Sequence, residues 1–539
     1  MRKVRRFALT LALAPLGGLL LAPGAQARVH LGRASALPAG LSVKPGAVSI
    51  PKGARRLPRT RSAPKPAVAA PRAAASRVVT SAAAAAATGT VRHNWDGVSS
   101  LDSAVTNFQQ EFEPPDQGLC VGNGFVMEMV NSAYTIYRTN GTKVAGPFNV
   151  NGPFDEGLAE FTSDPRCHYD PATNTWFASI VFISGGGVGD KSHIDIAVNP
   201  SGDPTTLWKN YQIDTTDSGA PKSFDCPCFG DQPRLGIDSQ NLYITSDEFS
   251  ILGPEFNGAQ IFAIAKKDLV NEVDAPHYVL FDRLSIGGAP TLAPQPAITN
   301  GSSPAEFFLN ALDPFGTFDN RIGVWSMTNR GNVALGKAPT LKSRVIASEP
   351  YGNPPPAEQK GAGSLIDSGD DRMQQAQYIN GHVYGELGTT LNVTGDSEPR
   401  AAAAWFEVNA PTGALTSVTK VTRQGYVAVK GNHVMYPALQ TTPSRAAVMG
   451  MSITGPNRFP STAYAELAPG ASNFGPVTIT GPGVTNYDPD ATRWGDYSWS
   501  ILDPSGNSVW MADEYVPKAS RQTVDRARNW GTRVFEVAP

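Results

Sequence analysis

Apolar and polar residues alternate with a period of two in short runs along most of this chain, and the runs are bounded by Asn-Gly, Asp-Pro and Gly-Asn turns. Such runs are half-buried antiparallel strands. They belong to a larger unit. A polar start, a short apolar strand, a tight turn and a second apolar strand return about every 60 residues. The unit reads Asp116-Gln-Gly-Leu-Cys-Val-Gly-Asn-Gly-Phe-Val-Met, then Asp164-Pro-Arg-Cys-His-Tyr-Asp-Pro-Ala-Thr-Asn-Thr-Trp-Phe. It returns as Asp231-Gln-Pro-Arg-Leu-Gly-Ile-Asp-Ser-Gln-Asn-Leu-Tyr-Ile and as Asp496-Tyr-Ser-Trp-Ser-Ile-Leu-Asp-Pro-Ser-Gly-Asn-Ser-Val-Trp, with weaker copies near Gln295, Asp371 and Tyr436. A further alternating strand follows each opening: Ala133-Tyr-Thr-Ile-Tyr, Ile194-Asp-Ile-Ala-Val, Ala259-Gln-Ile-Phe-Ala-Ile, Ile322-Gly-Val-Trp-Ser-Met, Ala404-Trp-Phe-Glu-Val, Ala463-Tyr-Ala-Glu-Leu and Thr532-Arg-Val-Phe-Glu-Val. Seven openings thus pair with seven following strands.

A hairpin repeated at this period cannot bury its apolar faces alone, so the copies pack on one another. The closed solution is an all-β fold, a seven-bladed β-propeller spanning residues 91–539. The last copy offers about three strands before Pro539, and the missing strand is expected from the segment between Thr90 and Phe112. N- and C-terminal strands would then share a blade and close the ring. Two stacked β-sandwiches are the weaker alternative, because the spacing is regular. Sustained helical periodicity is nearly absent, and 53 Gly with 45 Pro suit many tight turns.

The ends change the picture. Arg2, Lys3, Arg5 and Arg6 precede an apolar run from Phe7 to Ala22, and Ala25-Gln26-Ala27 supplies small residues for cleavage. Residues 1–27 therefore read as a secretory signal peptide. Pro15, Gly17 and Gly18 interrupt a run already short for a membrane span. The mature protein is expected to be secreted, extracellular or periplasmic, and not membrane-spanning. Residues 28–90 are rich in Ala, Pro, Arg and Lys and read as a disordered basic spacer or pro-segment. A cationic arm for an anionic wall polymer is the sharper alternative.

Residues 1–90 hold 15 of the 45 Lys and Arg and none of the 47 Asp and Glu. The remainder carries 30 basic against 47 acidic groups, a formal −17 in place of −2. A folded part this acidic argues against a nucleic-acid partner. It suits bound cations and neutral or cationic ligands. Cys120, Cys167, Cys226 and Cys228 are expected as disulfides after export, with three pairings open. A bridge from Cys167 to Cys226 or Cys228 would tie adjacent blades. Cys-Pro-Cys is expected to be too closely spaced for an internal bridge. Zinc is disfavoured because no histidine is spaced to complete a site.

Asn94-Trp-Asp-Gly, Pro114-Pro-Asp, Met129-Val-Asn-Ser-Ala-Tyr-Thr-Ile-Tyr, Asp164-Pro with Tyr169-Asp-Pro, and Ala197-Val with Gly202-Asp-Pro-Thr resemble a family of secreted bacterial β-propeller proteins. The resemblance covers roughly residues 93–270 and implies the propeller fold, but no general activity. Members often carry Pro-Pro-Asp-Thr-Asn-Gly where this chain has Pro-Pro-Asp-Gln-Gly-Leu-Cys, a departure that removes two polar groups.

In a propeller, the loop entering each innermost strand and the loop after the second strand open on one face. Asp231 is thereby expected near Asp247 and Glu248, and Asp496 near Asp513 and Glu514, with Asp116, Asp164 and Asp371 at the same mouth. Crowded carboxylates raise one another's proton affinity, so an acid and a base can coexist at neutral pH. Two of them could cleave a glycosidic bond. The expected catalytic groups are Asp231 with Asp247 or Glu248, facing Asp496. Arg166, Arg234 and Arg372 could bind a substrate anion, and Tyr436, Trp494 and Tyr497 could stack on sugars. The competing reading is structural: Asp at strand entries caps turns and pairs with an Arg two or three residues on. Neither Gly-x-Ser-x-Gly nor His-Glu-x-x-His occurs.

The functional expectation is action on an extracellular polysaccharide or glycoconjugate, hydrolase- or lyase-like, by a monomer. The alternative is a non-catalytic binding or adhesion propeller. No cofactor is required and no site residue is assigned to a metal, while a structural Ca2+ is compatible with the acidic mouth.

Overall fold

The computed structural model describes residues 28–33, 35–36, 89–110, 112–184, 191–217, 226–253, 255–312, 318–487, 493–523 and 528–539. The expected signal peptide and most of the expected basic spacer lie outside the described residues. The described chain is all-β, with short α-helices at Ser100–Thr106 and Lys266–Val270. Among the described residues no helix is long and apolar enough to cross a membrane.

The strands form successive four-stranded antiparallel meanders. The first comprises Gly118–Gly122, Phe125–Met129, Ala133–Arg138 and Lys143–Asn149; the second Thr162–Asp170, Thr175–Ile183, Ser192–Asn199 and Lys209–Asp214. The third comprises Cys228–Ile237, Asn241–Ser250, Phe256–Ala265 and His277–Ile286; the fourth Gln295–Asn300, Glu306–Ala311, Asp319–Thr328 and Thr340–Tyr351. The fifth runs through Met373–Ile379, His382–Leu391, Arg400–Asn409 and Val421–Val427; the sixth through His433–Thr441, Ala447–Gly455, Arg458–Leu467 and Thr478–Gly481. The seventh has Trp499–Leu502, Val509–Tyr515 and Gly531–Ala538, and its fourth strand is Thr90–Ser99, paired antiparallel with Gly531–Ala538. All seven openings read from the sequence start such a meander.

Turn chemistry explains the tightest hairpins. Asn123 and Gly124 (φ 49° and 75°) join the first two strands of the first meander, and Asn380 and Gly381 (φ 50° and 84°) do so in the fifth. Two residues with positive φ are what a twisted two-residue hairpin demands, and Asn-Gly supplies them at least cost.

The cores lie between neighbouring meanders. Cys120, Met127 and Ile136 of the first pack with Trp176, Ile180 and Ala197 of the second. Equivalent clusters join the third and fourth, the fourth and fifth, the fifth and sixth, and the sixth and seventh. A further cluster sets Leu119 and Val126 with Trp499, Trp510 and Val534 of the seventh, and continues through the second meander to Leu235 and Ile244 of the third. Each large side chain buried this way contributes about 1.5–3 kcal/mol. The first strand of each meander lies beside that of the next, and that of the seventh lies beside that of the first.

Two short stretches before residue 37 pair with outer strands, and one expectation, on the cysteines, is corrected. Within the segment expected to be disordered, Arg28–Arg33 pair antiparallel with His277–Ile286, and Ser35–Ala36 pair with Lys209–Asp214. These outer strands are sheet edges whose free N–H and C=O groups accept another strand. The disulfides are Cys120–Cys167 and Cys226–Cys228, with Cα–Cα distances of 5.5 and 4.5 Å. Cys-Pro-Cys does bridge internally, because its Cα atoms fall within the disulfide span of about 4.4–6.8 Å. Cys120–Cys167 ties the first two meanders across 47 residues, a loop whose closure is worth about 4 kcal/mol in the chain-entropy description.

Candidate functional site: a carboxylate cluster at the strand entries

The entries to the inner strands are irregular in a repeated way. Asp164, Gln232 and Tyr436 have φ of 59°, 50° and 49°, and the pairing shifts register between Ser163 and Arg166, Asp231 and Arg234, and Met435 and Ala438. Asp116 and Ala293, just before the first strands of the first and fourth meanders, have φ of 45° and 48°. Bulges of this kind bend a strand and re-aim its side chains. Left-handed backbone at non-glycine residues concentrates where surrounding structure enforces it, often at functional sites.

Their consequence is a cluster drawn from distant segments. Asp116, Asp164 and Asp496 each place one carboxylate oxygen within 4.8 Å of the others. The Asp496 backbone N–H donates to Asp116 Oδ1 at 2.6 Å, and Asn131 Nδ2 donates to Asp116 Oδ2 at 2.7 Å. Tyr497 Oη donates to Asp164 Oδ1 at 3.2 Å, and Arg493 donates to Asp496. Burial, then the neighbouring Asp496 and Asp164 charges, raise the Asp116 carboxyl well above the usual range. Asp164 is raised by burial and by Asp496, with Arg166 opposing. Asp231 is pushed up to about 7, chiefly by burial, then by Asp164 and Asp247, against Arg372.

The residues expected at the mouth divide. Asp231 and Asp496 join the cluster's field. Asp247 is buried, accepting from Arg234 Nη2 at 2.7 Å and from the Ala293 backbone N–H at 2.9 Å. Arg234 is likewise buried and also donates to Gln232. The ion pair lies within the third meander, and the Ala293 bond to Asp247 ties it to the entry of the fourth. Glu248 projects from the opposite side of its strand to Asp247, accepts from Gln260 Nε2 at 3.1 Å, and lies by Cys226 and Cys228. It stands apart from the Asp116–Asp164–Asp496 group. Asp513 is buried against Gly450 of the sixth meander, whereas Glu514 sits beside Gly495 and Asp116.

Among the expected binding residues, Arg372 grips Asp370 through Nε and Nη2 and reaches Gln232 Oε1 through Nη1 at 2.7 Å, with its side chain as a whole partly exposed. Arg166 is fully buried, its guanidinium 3.1 Å from the Tyr497 ring centre and 4.4 Å from that of Trp499. It supports the floor beneath Asp164. Trp494 and Tyr436 are core residues: the Trp494 indole donates to Ser452 Oγ at 3.0 Å, and Tyr436 Oη donates to the Asp367 carbonyl at 3.1 Å. Their rings are buried rather than offered to a sugar. Arg493 and Asn131 are the partners that sequence reasoning missed. Arg493 precedes its Asp by three residues, the reverse of the Asp-then-Arg order of the other entries; Asn131 carries no signal.

Three carboxylates this close could hold a cation. Together with a neutral Asp231, they could instead divide into proton donor and proton acceptor. No family model matches the chain, and no curated protein matches it. Among solved structures it is similar to an α-L-arabinanase of Cellvibrio cellulosa complexed with arabinohexaose (11% identity, 68% of this chain and 96% of that one, TM-score 0.30). It is also similar to an exo-β-1,3-galactanase from Clostridium thermocellum (11%, 69% and 78%, TM-score 0.31) and to Drosophila Plexin A in complex with Semaphorin 1b (8%, 84% and 87%, TM-score 0.34). Likenesses at this level carry no argument about activity.

Proposed function

We propose that the seven meanders are the blades of one propeller, closed by the pairing of Thr90–Ser99 with Gly531–Ala538, and that it is a secreted, monomeric protein acting hydrolytically or by elimination on an extracellular polysaccharide or glycoconjugate. The observation that carries this reading is the convergence of Asp116, Asp164 and Asp496 from three meanders beside the half-buried Asp231. Asp231, protonated up to about pH 7, serves as general acid to the leaving oxygen. Asp496, salt-bridged to Arg493 and partly exposed, serves as base or nucleophile, and Arg372 orients an anionic substituent. Incubation of the purified protein with a panel of polysaccharides, reading new reducing ends or unsaturated products alongside binding, tests the proposal. Binding without product selects a non-catalytic propeller; neither binding nor product rejects the glycan reading.

A second reading is favoured by one distance. Oxygens within 4.8 Å are closer than the roughly 5–5.5 Å between carboxyls of retaining glycosidases, and suit a shared hard cation such as Ca2+. In this reading the mouth is a cation-dependent binding surface. A rise in melting temperature with Ca2+, reversed by a chelator and abolished in Asp164→Asn, supports it. An unchanged melting temperature rejects it.

A further inference from the structure

The two disulfides differ in what surrounds them. Cys120 and Cys167 are fully buried among Met127, Trp176 and Ile180, and their bridge spans 47 residues. Cys226–Cys228 spans a separation of 2 residues. Because the restraint that a bridge places on the unfolded chain grows with loop length, this second bridge adds least to stability.

Its surroundings are polar and asymmetric. Cys228 is fully buried, whereas Cys226 is partly exposed. A Glu248 carboxylate oxygen and both sulfurs lie within 4.8 Å of one another. Asn257 Nδ2 approaches Cys228 Sγ at 3.3 Å and Cys226 Sγ at 3.7 Å. Glu248 is held by Gln260 Nε2, and Gln260 Oε1 in turn accepts from Ser246 Oγ at 3.1 Å. Asp217 and Asp282 face the same carboxyl as like charges and Arg283 as an opposing one; with burial first, they leave Glu248 protonated up to about pH 7. A buried carboxyl within 4.8 Å of both sulfurs of a short-loop disulfide has no role in the carboxylate cluster described above.

We propose that Cys226–Cys228 is a thiol–disulfide exchange site for a dithiol, with Cys226 the sulfur attacked and Glu248 the proton donor to the departing Cys228. An incoming thiolate attacks Cys226 Sγ, forming a mixed disulfide and breaking the Cys226–Cys228 bond. Cys228 leaves with the electron pair and takes the Glu248 proton, so the negative charge of the attacker ends on the carboxylate. The second thiolate of the same dithiol attacks its own sulfur in the mixed disulfide and expels Cys226, which is protonated from water. The dithiol is oxidised to a disulfide, and the Cys226–Cys228 pair is reduced by two electrons. Asn257 donates to Cys228 Sγ, the sulfur that carries charge as the bond breaks.

The test uses the full chain and dithiothreitol as the dithiol. Alkylation after graded exposure, read by mass spectrometry, should show Cys226 and Cys228 reduced while Cys120–Cys167 remains intact, with the melting temperature nearly unchanged. Divided by the thiolate fraction of dithiothreitol, which itself rises with pH, the rate should fall at least about tenfold in Glu248→Gln at pH 6, and the decline of that quotient from pH 6 to 8 seen in the parent should disappear, the pattern of a lost proton donor. Cys226→Ser/Cys228→Ser, carrying only the other bridge, should consume no dithiol and melt like the parent. Reduction of both bridges together, or an unaltered rate and pH profile in Glu248→Gln, would overturn the proposal.

Discussion

The backbone N–H of Asp496 donates to Asp116 Oδ1 at 2.6 Å, joining residues 380 apart in sequence. The same carboxylate accepts from Asn131 Nδ2 at 2.7 Å. Asp116 therefore holds the entry of the seventh meander against the first, and also places its own oxygen against Asp164 and Asp496. One residue serves both readings considered for it, turn cap and site member. Replacing it separates them. Asp116→Ala strands the Asp496 N–H and leaves the Asn131 amide only its bond to the Pro114 carbonyl, and should cost about 1–3 kcal/mol, the usual cost of unsatisfied buried groups. Asp116→Asn keeps an acceptor for the N–H and should melt close to the parent. Equal melting of both variants, measured by calorimetry, would show that the bond is not stabilising.

Asp231→Asn and Asp496→Asn should each lower turnover of a responsive polysaccharide by at least about a hundredfold, the scale of acid–base groups, with little change in melting temperature. Asp231 is half-buried at the entry, and Asp496 keeps about a third of its side chain exposed, at 30%. Neither substitution opens a cavity. Loss of folding in both would reassign them as caps.

Arg234 and Asp247 form a fully buried pair, each side chain 1% exposed. Removing one partner leaves the other charge uncompensated, so Arg234→Met should cost about 3–5 kcal/mol. Arg234→Met with Asp247→Leu should recover part of that loss, but not all, because the Ala293 N–H loses its acceptor. Denaturant unfolding of the two variants measures the difference. A double variant no better than the single one would mean that the carboxylate's bond to Ala293 outweighs the ion pair.

The sequence shows the repeat clearly because a half-buried strand writes its burial as alternation, and Asn-Gly turns write their φ angles as residue choice. It also shows the aspartates at the entries. What alternation does not show is direction. Between Asp231 and Arg234 the register shifts, so counting by twos no longer says which side chain faces the mouth. Arg166 and Arg234 therefore look like substrate anchors in sequence and are buried supports in the fold. Asp247 and Glu248 are adjacent in sequence but project to opposite sides of one strand, one to Arg234 and the other to the Cys226–Cys228 bridge. Trp494 lies in an irregular stretch with no period, so nothing in the sequence announces its burial.

Acid carboxyls held above their unfolded values set the sign of the pH dependence. Asp513 is raised by burial to about 8, Glu128 by burial to about 7, and Asp231 to about 7. For such groups the folded state binds more protons than the unfolded state between about pH 4 and the raised value, so stability falls as pH rises through that window. His168 and His433, lowered to about 4 by burial, act in the opposite sense, but between about 6.5 and 4. From pH 6 to 8 the carboxyls prevail. The melting temperature should be higher at pH 6 than at pH 8, and Asp513→Asn should shrink the difference. A melting temperature that rises over this interval would contradict the assignment of these groups as buried acids.

The strand Thr90–Ser99 offers the most direct test of how the fold is closed. It covers the edge of Gly531–Ala538 along its length, Thr532 Oγ1 donates to the Val98 carbonyl at 2.9 Å, and Asn94 Nδ2 crosses to the Thr480 carbonyl of the sixth meander at 2.9 Å. His93 stacks on Trp510 at 5.6 Å. A chain beginning at residue 89 keeps all of these contacts, losing only the pairings of Arg28–Arg33 and Ser35–Ala36 with outer strands, and should fold with a melting temperature far closer to the parent's than that of a shorter chain. A chain beginning at residue 100 exposes the Gly531–Ala538 edge and the rings beneath it. Net stability of a folded domain is only about 5–15 kcal/mol, and an uncovered apolar edge invites pairing between molecules. The shorter chain should therefore unfold or self-associate, and adding a synthetic peptide of residues 89–99 should restore part of its melting transition. If both truncated chains melt alike as monomers, the N-terminal strand does not close the fold, and the contacts between the first and seventh inner strands suffice.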